Sequence, residues 1–317
     1  MLFVRNYIRR MCSINSRFIL GLEIASSSVS CVVMEVSQDN YQCRFCTVQP
    51  LTDNKTKLEV ISSMVSSLKL ERAASVYCVL SISDSMVNVQ WIRVDRSELE
   101  NIDMAVSIAL TAAVALPLEE LYFDYQVFVN AEQSTDYVEV LIMACKRVVI
   151  DARFQWLKAG NLIPLALEVN SSAIKRAYLH LYTEKNQENI VLVHISTTEL
   201  TFLLFGSTRT QCYSEFISER MPKETLAQTV QNQLRIVCLL RPTYQITRLC
   251  FLGAPLSVLD FLAEQFAALY RIKTEILMCE ELMQQTSPVP SAGEQSSANL
   301  LISFGLALHG LHLLANS

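Results

Sequence analysis

Two stretches of the chain share one hydrophobic pattern. In the first, the apolar run Phe18-Ile-Leu-Gly-Leu-Glu-Ile24 is broken by Ala25-Ser-Ser-Ser28 and resumes over Val29–Val36. In the second, Ile190-Val-Leu-Val-His-Ile195 is broken by Ser196-Thr-Thr198, and the run resumes to Phe205. Short apolar runs bounded by turn-forming residues read as buried strands. Each stretch therefore predicts a strand, a hydroxyl-rich turn and a returning strand, once in each half. In both, a polar residue (Glu23, His194) stands two places before a small one (Ala25, Ser196), and hydroxyl side chains come after it.

Between and after these hairpins the pattern alternates strand with helix. Leu58, Ile61, Val65 and Leu68 recur at helical spacing, and Val76–Ile82 and Val87–Val94 read as strands. Ser97 with Glu100 predicts a capping box opening a helix that ends near Pro117. Leu121–Phe128 and Tyr137–Ala144 read as strands, and Asp151 predicts the cap of a helix that stops at Gly160. Strand Ile163–Val169 and a helix over Ser171–Tyr182 complete the first half, and the polar run Glu184–Asn189 reads as a hinge. The second half continues with strand Arg209–Phe216, then a helix carrying Leu226, Val230, Leu234 and Val237 on one face. Strand Ile246–Leu252 leads through Gly253-Ala-Pro255 into a helix over Ser257–Tyr270, and a surface loop at Thr286–Ser297 precedes a C-terminal helix. Two α/β halves that begin alike predict a duplication, with a leader at 1–16, a first half at 17–183 and a second at 184–317.

Composition narrows the chemistry. With 317 residues, 51% of them hydrophobic and 18% charged, the chain can bury a large core across two units. A net charge of -5 argues against a nucleic-acid binder, which needs a basic face. Only 7 glycines are present, and backbone that approaches phosphate needs residues without a Cβ. Ten cysteines lie mostly in apolar stretches, as reduced core thiols do. Cys43-x-x-Cys46 lacks the second pair that a zinc site requires, so no metal site is expected. The apolar stretch from Asn299 to Ala315 is shorter than a membrane span and reads as a core helix. No nucleophile elbow or P-loop occurs, and Trp91 and Trp156 read as core or interface anchors.

A strand–turn–strand unit repeated once per half resembles the way actin-like folds grip a nucleotide's phosphates from two sides. Leu118-Glu-Glu-Leu-Tyr-Phe-Asp-Tyr-Gln-Val127, Val149-Ile-Asp-Ala-Arg-Phe-Gln-Trp-Leu-Lys-Ala-Gly160, Leu167-Glu-Val-Asn-Ser-Ser-Ala-Ile-Lys-Arg-Ala-Tyr178 and Phe304-Gly-Leu-Ala-Leu-His-Gly310 extend the likeness. In order and spacing they resemble the PilM family, the cytoplasmic actin-like component of type IV pilus assembly, which is akin to FtsA. The resemblance covers about Phe18 to Gly310. It implies an α/β, actin-like (FtsA-like) duplicated fold, two halves around a cleft, and an inserted α+β subdomain at about 75–150. It also implies an adenine nucleotide with Mg²⁺ between the halves and a grip on the cytoplasmic tail of a PilN-like membrane protein.

The family's first phosphate loop reads Asp-Ile-Gly-Ser-Ser. Here Glu23 and Ala25 replace the Asp and the Gly, while Ser26 and Ser27 match and Ser28 comes next. The second loop's Asp-Ile-Gly becomes His194-Ile195-Ser196, followed by Thr197 and Thr198, and Gly253 is what remains of a glycine-rich adenosine segment. A longer acid, a neutral imidazole and two added Cβ atoms each weaken a Mg²⁺–phosphate site. Glu23, Ser26, Ser27, Ser28, His194, Ser196, Thr197, Thr198 and Gly253 therefore read as a vestigial nucleotide site with no catalytic residue. The resulting expectation is a non-enzymatic adaptor at the cytoplasmic face of the inner membrane. It would bind a PilN-like protein, with other platform components as further partners, no nucleic acid, and ATP/Mg²⁺ absent or weakly held. The partner's tail is expected in the seam between the inserted subdomain and the rest of the first half. A nucleotide-driven ATPase of the same fold, and the actin-like part of a type II secretion platform, are the alternatives.

Overall fold

A computed structural model describes residues 18–37, 40–52, 56–68, 76–129, 136–182, 189–205, 210–279 and 296–315. The expected leader at 1–16, most of the expected hinge and nearly all of the expected Thr286–Ser297 loop lie outside these residues. Strands β1 (Phe18–Ile24), β2 (Ser28–Ser37) and β3 (Asn40–Pro50) form an antiparallel meander. Helix α1 (Lys57–Ser67) comes next, and β4 (Tyr77–Ile82) pairs parallel to β1. Beyond it come β5 (Val87–Asp95), α2 (Ile102–Ala113), β6 (Leu121–Phe128), β7 (Tyr137–Lys146), α3 (Arg147–Ala159), β8 (Ile163–Val169) and α4 (Asn170–Leu181). The second half holds β9 (Ile190–Ile195), β10 (Glu199–Phe205), β11 (Gln211–Phe216), α5 (Lys223–Leu240), β12 (Arg248–Leu252), α6 (Leu256–Tyr270) and β13 (Lys273–Ile276). Helix α7 (Ser296–Ala315) closes the described chain.

The two large sheets have one topology. The first runs β3-β2-β1-β4-β8 and the second β11-β10-β9-β12-β13, each an antiparallel meander continued by two parallel strands. Equivalent registers put Glu23 opposite Ser30 and His194 opposite Thr201. The third sheet, β5-β7-β6, covers α2 with Val94, Val140, Ile142 and Leu121 packed against Val106 and Leu110.

Helix α7 is apolar on every side, and Leu300 to Gly310 are all buried. It crosses back from the second half to pack on β1, β2 and β4 and against α4, although the expected boundary at 184–317 assigned it to the second half. One core cluster joins Val32, Val79 and Ile174 of the first half to Leu192, Leu203 and Leu252 of the second through Leu301, Phe304 and Leu308. Two glycines allow this approach. A Cβ on Gly21 of β1 would collide with the Ser303 carbonyl, and one on Gly305 with the Ala173 carbonyl of α4. A buried ionic group adds direction, because Glu168 accepts from Arg176 at 2.6 Å and pairs with His309 at 2.8 Å. Burial alone would raise the Glu168 pKa, yet its bonds to His309 and Arg176 hold it below the usual value.

Several local expectations are corrected. Strand β3 is not among the expected elements, because the register shifts between Val33 and Met34 and breaks the alternation that marks a strand. Cys43 and Cys46 sit on β3 as buried thiols. Ser97 and Glu100 lie in a 3₁₀ turn, Arg96–Asn101, and α2 begins without a side-chain cap. The capping box forms at Thr56 and Glu59. Asp151 lies inside α3, whose first residue comes directly after β7, and its carboxylate accepts from Tyr122 at 3.2 Å. The left-handed residue after α3 is Asn161 (φ 52°), while Gly160 has an ordinary φ of -85°. The insertion is narrower than 75–150: Tyr77–Ile82 belongs to the first sheet, and the third sheet spans Val87 to Lys146. Parallel pairing on both β1 and β8 places β4 in the main core.

If backbone contact sets the spacing of α7, Gly305→Ala should lower the unfolding free energy by roughly 1–3 kcal/mol or more, despite alanine's better helix propensity. Urea titration of the two proteins measures this, and an unchanged or more stable variant would contradict the packing.

Candidate functional site

The two hairpin turns are built alike. Ala25 N–H donates to the Ser28 carbonyl (2.9 Å) and Ser196 N–H to the Glu199 carbonyl (2.8 Å). Each turn is then fixed from the neighbouring strand's end, Leu51 N–H donating to Ser27 O (2.8 Å) and Ile217 N–H to Thr198 O (2.9 Å). Within the second turn the Ser196 hydroxyl accepts from Glu199 N–H at 3.0 Å and from Thr198 N–H at 3.4 Å. Turn N–H groups of this kind would otherwise point at an anion. The Ser196 hydroxyl therefore occupies them itself.

The turns also meet. The Ser26 and Thr197 hydroxyls hydrogen-bond at 2.7 Å, and those of Ser27 and Thr197 at 3.2 Å. Deeper in the cleft, Ser30 donates to Glu23 Oε2 (2.9 Å) and its hydroxyl also bonds that of Ser303 on α7 (2.7 Å). Burial raises the Glu23 carboxyl from 4.5 to about 7, and the Ser30 bond offsets only part of this. At neutral pH a large share of Glu23 is uncharged. His194 is its counterpart on β9. Burial lowers its pKa to about 4, so the imidazole is neutral. Gly253 takes a positive φ of 93°, and a Cβ there would lie 2.6 Å from the His194 ring. The ring and the glycine thus fill each other's space. Of the expected residues, Ser26, Ser27 and Thr197 come together, His194 packs on Gly253, and Ser28, Ser196 and Thr198 serve their own turns.

Comparison with known proteins resolves the family. A family model described as Type IV pilus assembly protein PilM matches residues 21–214, which include both hairpin turns. The chain belongs to the PilM family. A solved structure described as a PilM-PilN type IV pilus biogenesis complex shares the fold at a TM-score of 0.73 and 16% identity, covering 92% of this chain and 98% of that one. The cytoplasmic domain of EpsL, an inner membrane component of the type II secretion system of Vibrio cholerae, is similar at a TM-score of 0.50 and 13% identity, covering 93% and 95%. These likenesses confirm the actin-like fold.

In this PilM-family chain a second set of cleft residues escaped the sequence reading. Glu199, the counterpart of Ser28, is buried at the start of β10 and reaches the first half. It accepts from the Ser83 hydroxyl and, at 3.0 Å, from Ser85 N–H. Between those serines, Asp84 accepts from the Ser171 hydroxyl and from Ser171 N–H at 2.9 Å, with Cys212 Sγ of β11 at 3.6 Å. Burial raises Asp84 from 3.8 to about 6; the Ser171 bonds oppose this and the Glu199 charge adds to it. Ser83-Asp84-Ser85 after a parallel strand was the available signal, since ligand-facing groups gather at such strand ends. Asn170, opening α4 beside Ser171, has a buried Oδ1 without a hydrogen-bond partner among the described residues. No three His, Cys, Asp or Glu side chains gather for a metal among the described residues.

The seam between the third sheet and the first core is apolar, with partly buried side chains packed along it. Val87, Met143 and Cys145 share a core cluster with Ile82, Ile150 and Leu157, and Tyr122, Phe154 and Trp156 pack at its edge. Lys57 and Arg153 lie over the Trp156 ring at 5.0 and 5.8 Å, and Arg147 over Tyr122 at 4.2 Å.

Glu23 and Asp84 both bind their proton more tightly folded than unfolded. The stability this supplies is complete below the unfolded pKa and is lost as pH rises through about 6 for Asp84 and about 7 for Glu23. Between about pH 5 and pH 7 these two groups lower the unfolding free energy, while His194, whose pKa is lowered to about 4, acts in the opposite sense up to about pH 6.5, so the carboxyl contribution is read against a variant. Glu23→Gln cannot ionise, and should flatten that slope and exceed the parent by roughly 1–3 kcal/mol above about pH 7.5. Parallel pH profiles would contradict the assignment.

Proposed function

We infer that this PilM-family protein is a non-enzymatic adaptor of type IV pilus assembly. It uses the actin-like fold as a rigid body and grips the N-terminal tail of a PilN-like membrane protein, which holds it at the cytoplasmic face of the inner membrane. The observation that carries this reading is the contact between the two turns, Ser26 with Thr197 at 2.7 Å. Protein hydroxyls fill the space between the turns, and Ser196 consumes turn N–H groups that would bind an anion. A Glu23 carboxyl raised to about 7, and so only partly ionised at neutral pH, and a neutral His194 supply less charge to hold hydrated Mg²⁺ than a pair of carboxylates would. The residues present do not fit a nucleotide–Mg²⁺ pair, and no catalytic step is assigned. None of the described helices is long and apolar enough to cross a membrane, which is consistent with recruitment through a partner.

The tail's site is the seam between β5-β7-β6 and the first core. A peptide that orders on binding needs apolar pockets with a few anchors, and Tyr122, Phe154 and Trp156 line such an edge beside the cations Lys57, Arg147 and Arg153. A nucleotide-driven cycle is the second reading, favoured by the buried Asn170 Oδ1, which has no hydrogen-bond partner among the described residues and stands next in sequence to Ser171.

Isothermal titration should detect no tight ATP·Mg²⁺ binding. A synthetic peptide of a PilN-like N-terminal tail should bind, and Tyr122→Ala with Trp156→Ala should weaken it by about tenfold or more. Phe216→Ala, exposed on the second half, should leave it unchanged. Low-micromolar ATP affinity would overturn the adaptor reading, and peptide binding indifferent to the seam substitutions would overturn the site.

A further inference from the structure

The end of the second half remote from the hairpin turns carries a groove of about 690 Å³ between the C-terminal turn of α5, the start of β12 and the end of α6. Leu234, Cys238, Leu239, Tyr244, Ile246 and Tyr270 line it, and its one charged lining residue is Arg235. Its size and apolar lining lie in the range of binding sites rather than packing defects. The wall continues outward as a ridge. Ile236, Leu239 and Leu240 stand at helical spacing on the exposed side of α5, with Leu239 79% exposed, and Leu269 and Tyr270 are exposed at the end of α6. Contiguous apolar surface with a polar rim marks an interaction site.

Charge and shape select the occupant. Arg241 and Arg271 are exposed and flank the lining residues at the ends of α5 and α6. Neither they nor Arg235 pairs with an acid among the described residues. The two helix C-termini offset part of this charge, and three guanidinium groups exceed it. A chain of net charge -5 thus concentrates cations around one apolar slot. A second copy docked face to face would bring like charges together. A flat bilayer would leave the groove unfilled. We propose that this groove docks an acidic amphipathic helix of a partner protein, whose apolar ridge enters beside Leu239 while its carboxylates meet Arg235, Arg241 and Arg271. Helix-in-groove recognition has this form, with anchors along one helix face and charges at the rim.

The test uses the full chain and two synthetic helical peptides with the same leucine face, one flanked by glutamates and the other by lysines, followed by fluorescence anisotropy. The glutamate peptide should bind, the lysine peptide should bind about tenfold or more weaker, and Leu239→Glu should remove binding. Arg235→Glu should reverse or erase the preference between the peptides. Because both side chains are exposed, circular dichroism melts of these variants should match the parent. The proposal is overturned if neither peptide binds, if both bind equally, or if Leu239→Glu binds like the parent. It is equally overturned if the chain forms a dimer, or binds phosphatidylglycerol vesicles, in a way that Leu239→Glu abolishes, since the groove then belongs to a second copy or to lipid.

Discussion

The backbone contact of helix α7 with β1 and α4 is the constraint on which the rest of the molecule depends. Gly21 and Gly305 remove two Cβ atoms, so a helix from the end of the chain lies directly on the first sheet. From there its apolar side chains reach the inner face of the second sheet. The halves are thus two faces of one core, and their separation is set by close-packed backbone that does not compress. With that spacing fixed, the hairpin turns stand within hydrogen-bond reach of one another.

The chemistry of the cleft then depends on which of its polar groups are already satisfied. In a phosphate-binding hairpin the turn N–H groups and nearby charges await the ligand. Here Ser196 answers its own turn, Thr197 bridges to Ser26 and Ser27, and Glu199 is held by Ser83 and Ser85 across the cleft. Burial raises the carboxyls of the cleft, Glu23 to about 7 and Asp84 to about 6. These contacts join the two turns to one another and tie β10 to the serines after β4.

Much of this was legible in the sequence because the signals are local. The apolar runs around Ala25–Ser28 and Ser196–Thr198 gave both hairpins, and the helical spacing of Leu226, Val230 and Leu234 gave α5. Strand β3 was hidden by its bulge, and the start of α3 by a cap that is not used. The pairing of Glu199, Asp84 and Ser171 was illegible for another reason. Their partners lie far along the chain, and only the fold brings an acid of β10 to the serines after β4. The repeat did align Glu199 with Ser28, but the alignment alone gives neither residue a partner.

The closed cleft is tested most directly by a cross-link between its turns, with Ser26→Cys and Thr197→Cys placed in one chain. Their hydroxyls are 2.7 Å apart. Mild oxidation should join these cysteines at the same rate with and without ATP·Mg²⁺, and the cross-linked protein should bind a PilN-like tail as tightly as its reduced form. Slower cross-linking in ATP·Mg²⁺, or loss of the tail from the cross-linked protein, would contradict the closed cleft.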